Sequence, residues 1–526
     1  MRSLSIAAAA ALVASVAQAD TLTILHTNDF HSRIEPINKY DSACKPEDND
    51  AGKCFGGSAR LITAVRAARE ASPNAMLVDG GDQFQGTLFY AHYKGQAAAE
   101  LMNVIGYEAM TVGNHEFDDG PEVLRDFVKA VDFPILMSNA DISSEPALKG
   151  VIQPSMVIEK AGVKYGLIGL TPEDTGEMAS PGPNVRFLDP VVAVREQIAA
   201  LEQSGIDRII VLSHSGYHMD LDFAAQIDGI DVIVGGHSHS LLSNSSDRAA
   251  GPYPTWVRTP DGGRTAIVQA YAYGKFLGKL DVTFDDNGVV VEAVGEPILI
   301  DGQVAEDSTL KARIAELAQP LEEVRNQVVA EAAAPIGGDR AICRSQECEM
   351  GNLVAEAMLD RVKSQGIQIA IQNGGGLRAS IDGGPITMGE VLTVLPFQNA
   401  LSTFELTGSD VKAALENGVS QISDGAGRFA QVAGLRYAFD AKREVGDRVT
   451  KVEVMADGDW APIDPKAVYG VVSNDFLRGG GDGYVVFAEN AMNPYDFGPG
   501  LESVVVEFLV EKGPYTPITD GRITVE

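Results

Sequence analysis

Basic residues are scarce in this 526-residue chain: 41 Lys and Arg stand against 73 Asp and Glu, a formal net charge of -32. Such a field opposes binding to nucleic-acid polymers and anionic membranes, and it admits a small anionic substrate only where local cations offset it. Long apolar runs are wanting too. The opening MRSLSIAAAAALVASVAQAD carries one Arg, an Ala-rich stretch and AQA before Asp20. Those are the marks of a secretory signal over residues 1–19, cleaved after Ala19. Its removal takes away one Arg and no acid, so -32 becomes -33. The stretch is too short and too weakly apolar for a membrane span. No Cys follows the cleavage point to take a lipid, and the C-terminal PYTPITDGRITVE has no hydrophobic tail for an anchor. The expectation is a soluble, exported protein, periplasmic or extracellular, with no membrane anchor.

Cysteine is limited to Cys44, Cys54, Cys343 and Cys348. Three connectivities are formally open, and in an oxidising compartment proximity favours two local disulfides, Cys44–Cys54 and Cys343–Cys348. The spacings do not suit zinc, and no His lies near either pair. Histidine is absent beyond position 239, so any imidazole chemistry belongs to the first half. About 500 mature residues exceed one core, and two or more domains are expected.

What is present in that first half is a repeated pattern. A short β-rich apolar run ends, and polar groups follow within a few residues. TLTIL leads to HTNDFHS, AMLVD to GGDQFQG, EAMTV to GNHEFDDG, RIIVL to SHSGYH, and DVIV to GGHSHS. Helix-like stretches such as GGSARLITAVRAARE and PEVLRDFVKAV lie between them. The alternation predicts buried strands with helical crossovers, and active groups on loops at the carboxyl ends of strands. KYGLIGL ends in TPED without a His, so not every strand exit carries candidate ligands.

Five of the eight histidines sit at those exits: His31, His115, His214, His237 and His239, accompanied by Asp29, Asp82 and Asn114. A lone His at a strand end is usually a hydrogen-bonded structural residue; five such exits are not. His26, His92 and His218 take the structural reading. Imidazole with carboxylate suits zinc, manganese or cobalt. Seven candidate ligands exceed one tetrahedral site and suit two divalent metal ions sharing a carboxylate. Gly80 and Gly81 remove bulk so that Asp82 can approach.

In this order, NDFH, GDQFQG, GNHEFD, SH and GGHSH resemble the calcineurin-like metallophosphoesterases, and within them the 5′-nucleotidase/UDP-sugar hydrolase family. The resemblance implies a mixed α/β (α+β) fold. A four-layer αββα sandwich over 20–306 would be joined by a linker helix over 307–333, kinked at Pro320, to a smaller α+β substrate-binding domain over 334–526. It implies that Asp29, His31, Asp82 and His239 bind one ion, that Asp82, Asn114, His214 and His237 bind the other, and that Asp82 bridges. It makes His115 a catalytic non-ligand paired with Asp118. Glu116 and Asp119 read as solvent or capping residues.

Beyond the linker, CRSQECEMGNL places Arg344 inside a small cysteine loop. QNGGGLRASI sets Asn373 and Arg378 about a glycine run, SNDFLRGGGDGY pairs Phe476 with Asp482, and LPFQN puts Phe397 on a turn after a strand. Each is an ordinary loop or core feature alone. Together they resemble the 5′-nucleotidase C-terminal domain, which implies that Phe397 and Phe476 sandwich a nucleobase and Asp482 accepts from ribose hydroxyls. Arg344 and Arg378 would grip phosphate, and Asn373 would contact the nucleoside. The expected partner is a nucleotide, with the C-terminal domain swinging it onto the metals. The expected activity is hydrolysis of nucleoside 5′-phosphates, with diphosphates or UDP-sugars also open. The alternatives are a 2′,3′-cyclic nucleotide phosphodiesterase with 3′-nucleotidase activity, a sulfate-ester or thiosulfonate hydrolase, and a non-catalytic nucleotide-binding ectodomain.

Overall fold

The computed structural model describes residues 20–526 apart from Tyr40, Ser42, Gln398, Asp457 and Phe497, so the expected signal lies outside the described residues. Two large sheets dominate the first half. One orders Val290–Gly295, Phe276–Phe284, Asp20–Thr27, Met76–Asp79, Ala109–Thr111 and Ile135–Leu136; the other orders Thr255–Arg258, Arg264–Val268, Val232–Val234, Ile209–Ser213, Val163–Leu170 and Ser155–Lys160. Asp20–Thr27, Met76–Asp79 and Ala109–Thr111 pair in parallel, as do Val163–Leu170, Ile209–Ser213 and Val232–Val234.

Strand alternation decides the layering. Leu22, Ile24, Met76 and Val78 face Leu167, Ile210, Leu212 and Val232 of the other sheet. The opposite faces carry Leu25, Leu77 and Met110 in one sheet and Ile168, Val211 and Ile233 in the other. They bury the apolar stripes of helices such as Ser58–Ala71, Gln96–Ile105 and Gly120–Ala130, and Pro190–Gln203 and Tyr217–Gln226. The result is helix, sheet, sheet, helix.

The helix expected over 307–333 is divided. Ser308–Ala318 packs Leu310, Ile314 and Leu317 into the first core. Pro320 falls in a 3-10 turn, Glu322–Arg325 adds one helical turn, and Val328–Ala332 is a strand paired with Gly384–Thr387. The second half holds a five-stranded sheet ordered Ala430–Ala433, Ile367–Asn373, Val468–Asn474, Leu401–Thr407 and Met492–Tyr495. Helices Glu349–Val362 and Gly408–Ser420 accompany it. Phe397 follows a helix, Met388–Val394, and not a strand: Thr387 and Glu390 form a reciprocal capping box that starts a helix despite the β-branched TVL text. Both cysteine pairs close as the proximity pairing expected. Among the described residues, no helix is long and apolar enough to cross a membrane.

His26 is structural. It is fully buried between the sheets, bonds Tyr253 Oη at 2.8 Å and lies opposite Gly278, where any Cβ would collide with its ring. Burial lowers its pKa from 6.5 to about 3. A depressed histidine pKa means that the unfolded chain takes up a proton between pH 6.5 and 3 that the folded chain refuses, so stability falls as pH drops through that window. At pH 5 the loss amounts to about 2 kcal/mol. His26→Gln should therefore show a shallower fall in Tm between pH 7 and pH 5 than the parent, measured by thermal melting across that range.

Candidate functional site

The carboxyl ends of five strands, three from one sheet and two from the other, converge at one edge. Thr27 is followed by Asp29 and His31, Asp79 by Asp82, Thr111 by Asn114 and His115, Ser213 by His214, and Val234 by His237 and His239. The turns are tight enough to force unusual backbone. Asp29, His31, Asp82, His237 and His239 all have φ between 49° and 67°, the left-handed region that side-chain-bearing residues avoid. Five such residues in one site imply strain of order 1–3 kcal/mol each, sustained by the surrounding fold. Glycines make the closeness possible: a Cβ on Gly81 would lie 2.7 Å from His214 Nδ1, and one on Gly236 2.6 Å from the Gly80 carbonyl.

The side chains gather in overlapping groups. Asp29, His31 and His239 form one; Asp82, His214 and His237 form another, each with its candidate ligand atoms within 4.8 Å. A third joins His31 and Asp82 to His115 and so links the first two. His239 Nε2 lies 3.1 Å from Asp29 Oδ1 and 3.1 Å from His31 Nε2; His214 Nε2 lies 2.9 Å from Asp82 Oδ2; Asn114 Oδ1 lies 3.0 Å from His237 Nδ1. Outer groups aim these atoms. Phe84 O engages His31 Nδ1 and Gly80 O engages His214 Nδ1, which leaves each Nε2 facing the cluster. Asn28 Nδ2 donates to Asp29 Oδ2, and its own oxygen accepts from Ala270 N.

Asp29 Oδ1 is buried without a hydrogen-bond partner. An unpartnered buried carboxylate oxygen beside imidazole nitrogens is what a cation satisfies. The donor set, all imidazole nitrogen and carboxylate or amide oxygen, fits a binuclear divalent metal site.

Charge within the cluster is divided sharply. Burial lowers the pKa of His31, His237 and His239, and Arg378 for His31, His214 for His237 and Arg340 for His239 add to it, so all three stay well below the ordinary value. They are neutral at neutral pH, the form that ligates. Burial also disfavours the charged forms of His214 and Asp82, but their mutual attraction prevails. His214 is pushed up to about 10, and Asp82 is held well below the carboxylate range. Burial raises Asp29 to about 6.

Beside the cluster His115 Nδ1 meets Asp118 Oδ2 at 2.7 Å. Burial opposes a charged imidazole there, yet Asp118 and Asp82 outweigh it and raise the His115 pKa. Gln85 Nε2 donates to the same Asp118 oxygen at 3.0 Å, a role its place in GDQFQG did not announce.

Residues from the second half complete the site. A cavity of about 890 Å³ is lined by Asn114, His115 and His237 from the first half, and by Arg344, Asn373, Arg378, Phe397, Phe476 and Asp482 from the second. The six second-half residues named from the sequence thus share one wall. Asn373 Nδ2 donates to Asp482 Oδ2 at 2.6 Å, and Arg378 Nη2 lies 3.1 Å from His31 Nε2. Phe397 stacks on His115 at 5.7 Å between ring centres. A Cβ on Gly481 would strike the Phe476 ring, so glycine gives that ring its space. The Cys343–Cys348 bridge encloses Arg344, whose Nε is buried without a partner.

Glu116 changes assignment, Asp119 keeps its exposed reading, and Arg340 is new. Glu116 is neither exposed nor a cap: it is fully buried and accepts four backbone N–H bonds. Asp119 occupies the N-cap position of Gly120–Ala130 but makes no capping bond; its carboxylate takes the Tyr90 hydroxyl and Lys94. Arg340, passed over in the sequence, donates to the His237 carbonyl at 2.9 Å and lines the cavity. Its spacing of four from Arg344, with a helical turn Arg340–Cys343 between, was the available signal.

Comparison with known proteins agrees with this geometry. The family model described as calcineurin-like phosphoesterase matches residues 22–241, and the model described as 5'-nucleotidase, C-terminal domain matches residues 328–489. A 5'-nucleotidase of Diplobatis ommata is 37% identical, covering 95% of this chain and 89% of the relative. One of Bos taurus is 37% identical over 99% and 93%. The crystal structure of a 5'-nucleotidase precursor from Thermus thermophilus superposes with a TM-score of 0.92 at 43% identity, covering 96% of this chain and 99% of that one.

The glycine contacts carry a direct consequence. At Gly81 (φ 93°) a methyl group has neither room nor a relaxed backbone. Gly81→Ala should lower folding stability by about 2–4 kcal/mol and reduce bound divalent metal, measured by thermal melting and elemental analysis of the purified variant.

Proposed function

The chain belongs to the 5′-nucleotidase family, and from that premise we propose that it hydrolyses nucleoside 5′-phosphates to nucleoside and phosphate. One observation carries this most directly. The metal-ligand cluster and the His115–Asp118 pair open onto the same cavity as Arg340, Arg344, Arg378, Phe397 and Phe476. A small inorganic ester has no use for Phe397 and Phe476, whereas a nucleotide uses every wall.

Asp29, His31, Asp82 and His239 would hold one cation, and Asp82, Asn114, His214 and His237 the other, with Asp82 shared. Zinc, manganese and cobalt match these donors. Bound cations of this kind supply Lewis-acid polarisation and charge neutralisation at phosphorus. Asn114 adds a ligand without adding charge beside two carboxylates.

The remaining work falls to the chain's own groups. Arg344 and Arg378 grip the phosphate through their guanidinium forks, and Arg340 stands beside them. The nucleobase stacks on Phe397 and Phe476, worth about 1–3 kcal/mol per stacked base. Asp482 accepts from ribose hydroxyls, with Asn373 alongside. Asp118 accepts a hydrogen bond from His115 Nδ1 and orients the ring, so Nε2 presents a proton to the charge that develops as the ester bond breaks. The two Gly-rich runs let backbone come close to the ligand.

We assign one domain to 20–306 and the other to 334–526, joined by a segment whose Leu310, Ile314, Leu317 and Leu321 pack on the first core and whose Val328–Ala332 pairs with Gly384–Thr387 in the second. We assign the protein to an oxidising, exported compartment, periplasmic or extracellular. The Ala-rich leader and the two disulfides support this.

Two experiments test the proposal. AMP, 3′-AMP, UDP-glucose and 2′,3′-cyclic AMP assayed side by side with zinc, manganese, cobalt and magnesium should show the 5′-phosphate cleaved fastest, with activity abolished by chelation. Preference for the cyclic ester or 3′-AMP would move the protein to the cyclic phosphodiesterase reading. His115→Ala should lower kcat at least about 10²-fold while bound metal is retained. Unchanged turnover removes His115 from the mechanism.

A further inference from the structure

The four-residue segment Gly81–Phe84 runs between the two ligand groups, and both of its backbone edges are spoken for. On one edge, the carbonyls of Gly81, Asp82 and Gln83 accept from the backbone N–H groups of Asp29 (2.9 Å), His31 (3.0 Å) and Ser32 (3.0 Å). On the other, the N–H groups of Asp82 (3.0 Å), Gln83 (2.8 Å) and Phe84 (3.2 Å) all donate to the Glu116 carboxylate, which also takes Gly113 N at 2.6 Å. The carboxylate is completely buried. Its acceptor sites are taken up by main chain.

From this arrangement we infer that Glu116 is a positioning residue for the metal centre, acting through Gly81–Phe84 on the ligands of both ions. The inference rests on the metal-dependent reading above. Asp82 sits on a left-handed backbone (φ 59°) that an unsupported loop would relax. Three converging N–H bonds to one buried carboxylate over-determine that segment. Because its opposite edge carries Asp29 and His31, displacement would move ligands of the first group along with Asp82. The same brace reaches the acid–base pair. His115 N donates to Asp82 Oδ1 at 2.9 Å, and Gly113 N, two residues earlier, is held by Glu116 itself. Two turns on neighbouring strands are thus tied side chain to main chain in both directions. Gly113 permits it, since a Cβ there would lie 2.9 Å from Glu116 Oε2.

An amide in place of the carboxylate turns one oxygen into a donor facing N–H donors. An aspartate keeps the charge but falls one methylene short. Glu116→Gln and Glu116→Asp, with the parent, are stripped by chelation and titrated with Mn2+ (free ion by EPR) and with Co2+ (visible absorption), and kcat and KM for AMP are measured. The expected result is Mn2+ affinity about 10–100-fold weaker in both variants, an altered Co2+ spectrum, and kcat reduced while KM changes little. Parental Mn2+ affinity and Co2+ spectrum in both variants overturn the inference, whatever happens to Tm, because a merely structural role moves Tm alone. A parent that binds neither ion overturns the metal reading itself.

Discussion

Everything else in this molecule accommodates one demand: two carboxylates, an amide and five imidazoles must sit within a few ångströms of one another, out of water. Desolvation opposes every charged group in that cluster, as the neutral His31, His237 and His239 and the raised Asp29 show. The opposing attraction is concentrated in one pair, His214 with Asp82. Buried charge is tolerable where it is paired and costly where it is not. The unpartnered Asp29 Oδ1, beside imidazole nitrogens, fits a divalent cation.

Meeting that demand shapes the backbone. A parallel strand delivers its next residues to one edge of a sheet, and two stacked sheets bring two such edges together. The strand ends still have to turn sharply enough for side chains from five of them to meet, which places five ligands at positive φ and glycine where segments nearly touch. The second half uses the same device: Ile367–Asn373 and Val468–Asn474 run parallel, and Asn373 and Asn474 at their ends bond each other at 3.1 Å. Asp482, with φ 54°, repeats the strained backbone on that side. One half supplies the clustered imidazoles and carboxylates, the other a cationic and aromatic wall.

The electrostatics of the two halves are interdependent. In a chain of net charge -32, Arg340, Arg344 and Arg378 are gathered at the cavity. They do more than offset the field against an anion. Arg378 lies against His31, and Arg340 donates to the His237 carbonyl; both add to the forces that keep imidazoles neutral and able to ligate. The arginine-bearing wall thus also tunes the imidazole-bearing one.

Periodicity and chemistry in the text were enough for much of this. Alternating apolar runs such as TLTIL and RIIVL, each followed by ligand-type residues, identified the parallel strands, their functional edge, and the seven residues that meet there. They separated His26, buried in its strand, from the exit histidines. Close spacing was enough for both disulfides. What the text could not hold was direction at short range and meeting at long range. Glu116 and Asp118 are both acids in one hexapeptide, and only the turn shows that the first faces four N–H groups and the second an imidazole. The helix before Phe397 was hidden because TVL carries strand propensity, while the reciprocal cap at Thr387 and Glu390 acts only once the chain has turned there. Arg340 finds the His237 carbonyl across 103 residues of sequence. A sequence carries residue type and spacing along one dimension; which acid is solvated and which is buried is a property of what packs around it, and that is decided only when the distant segments close.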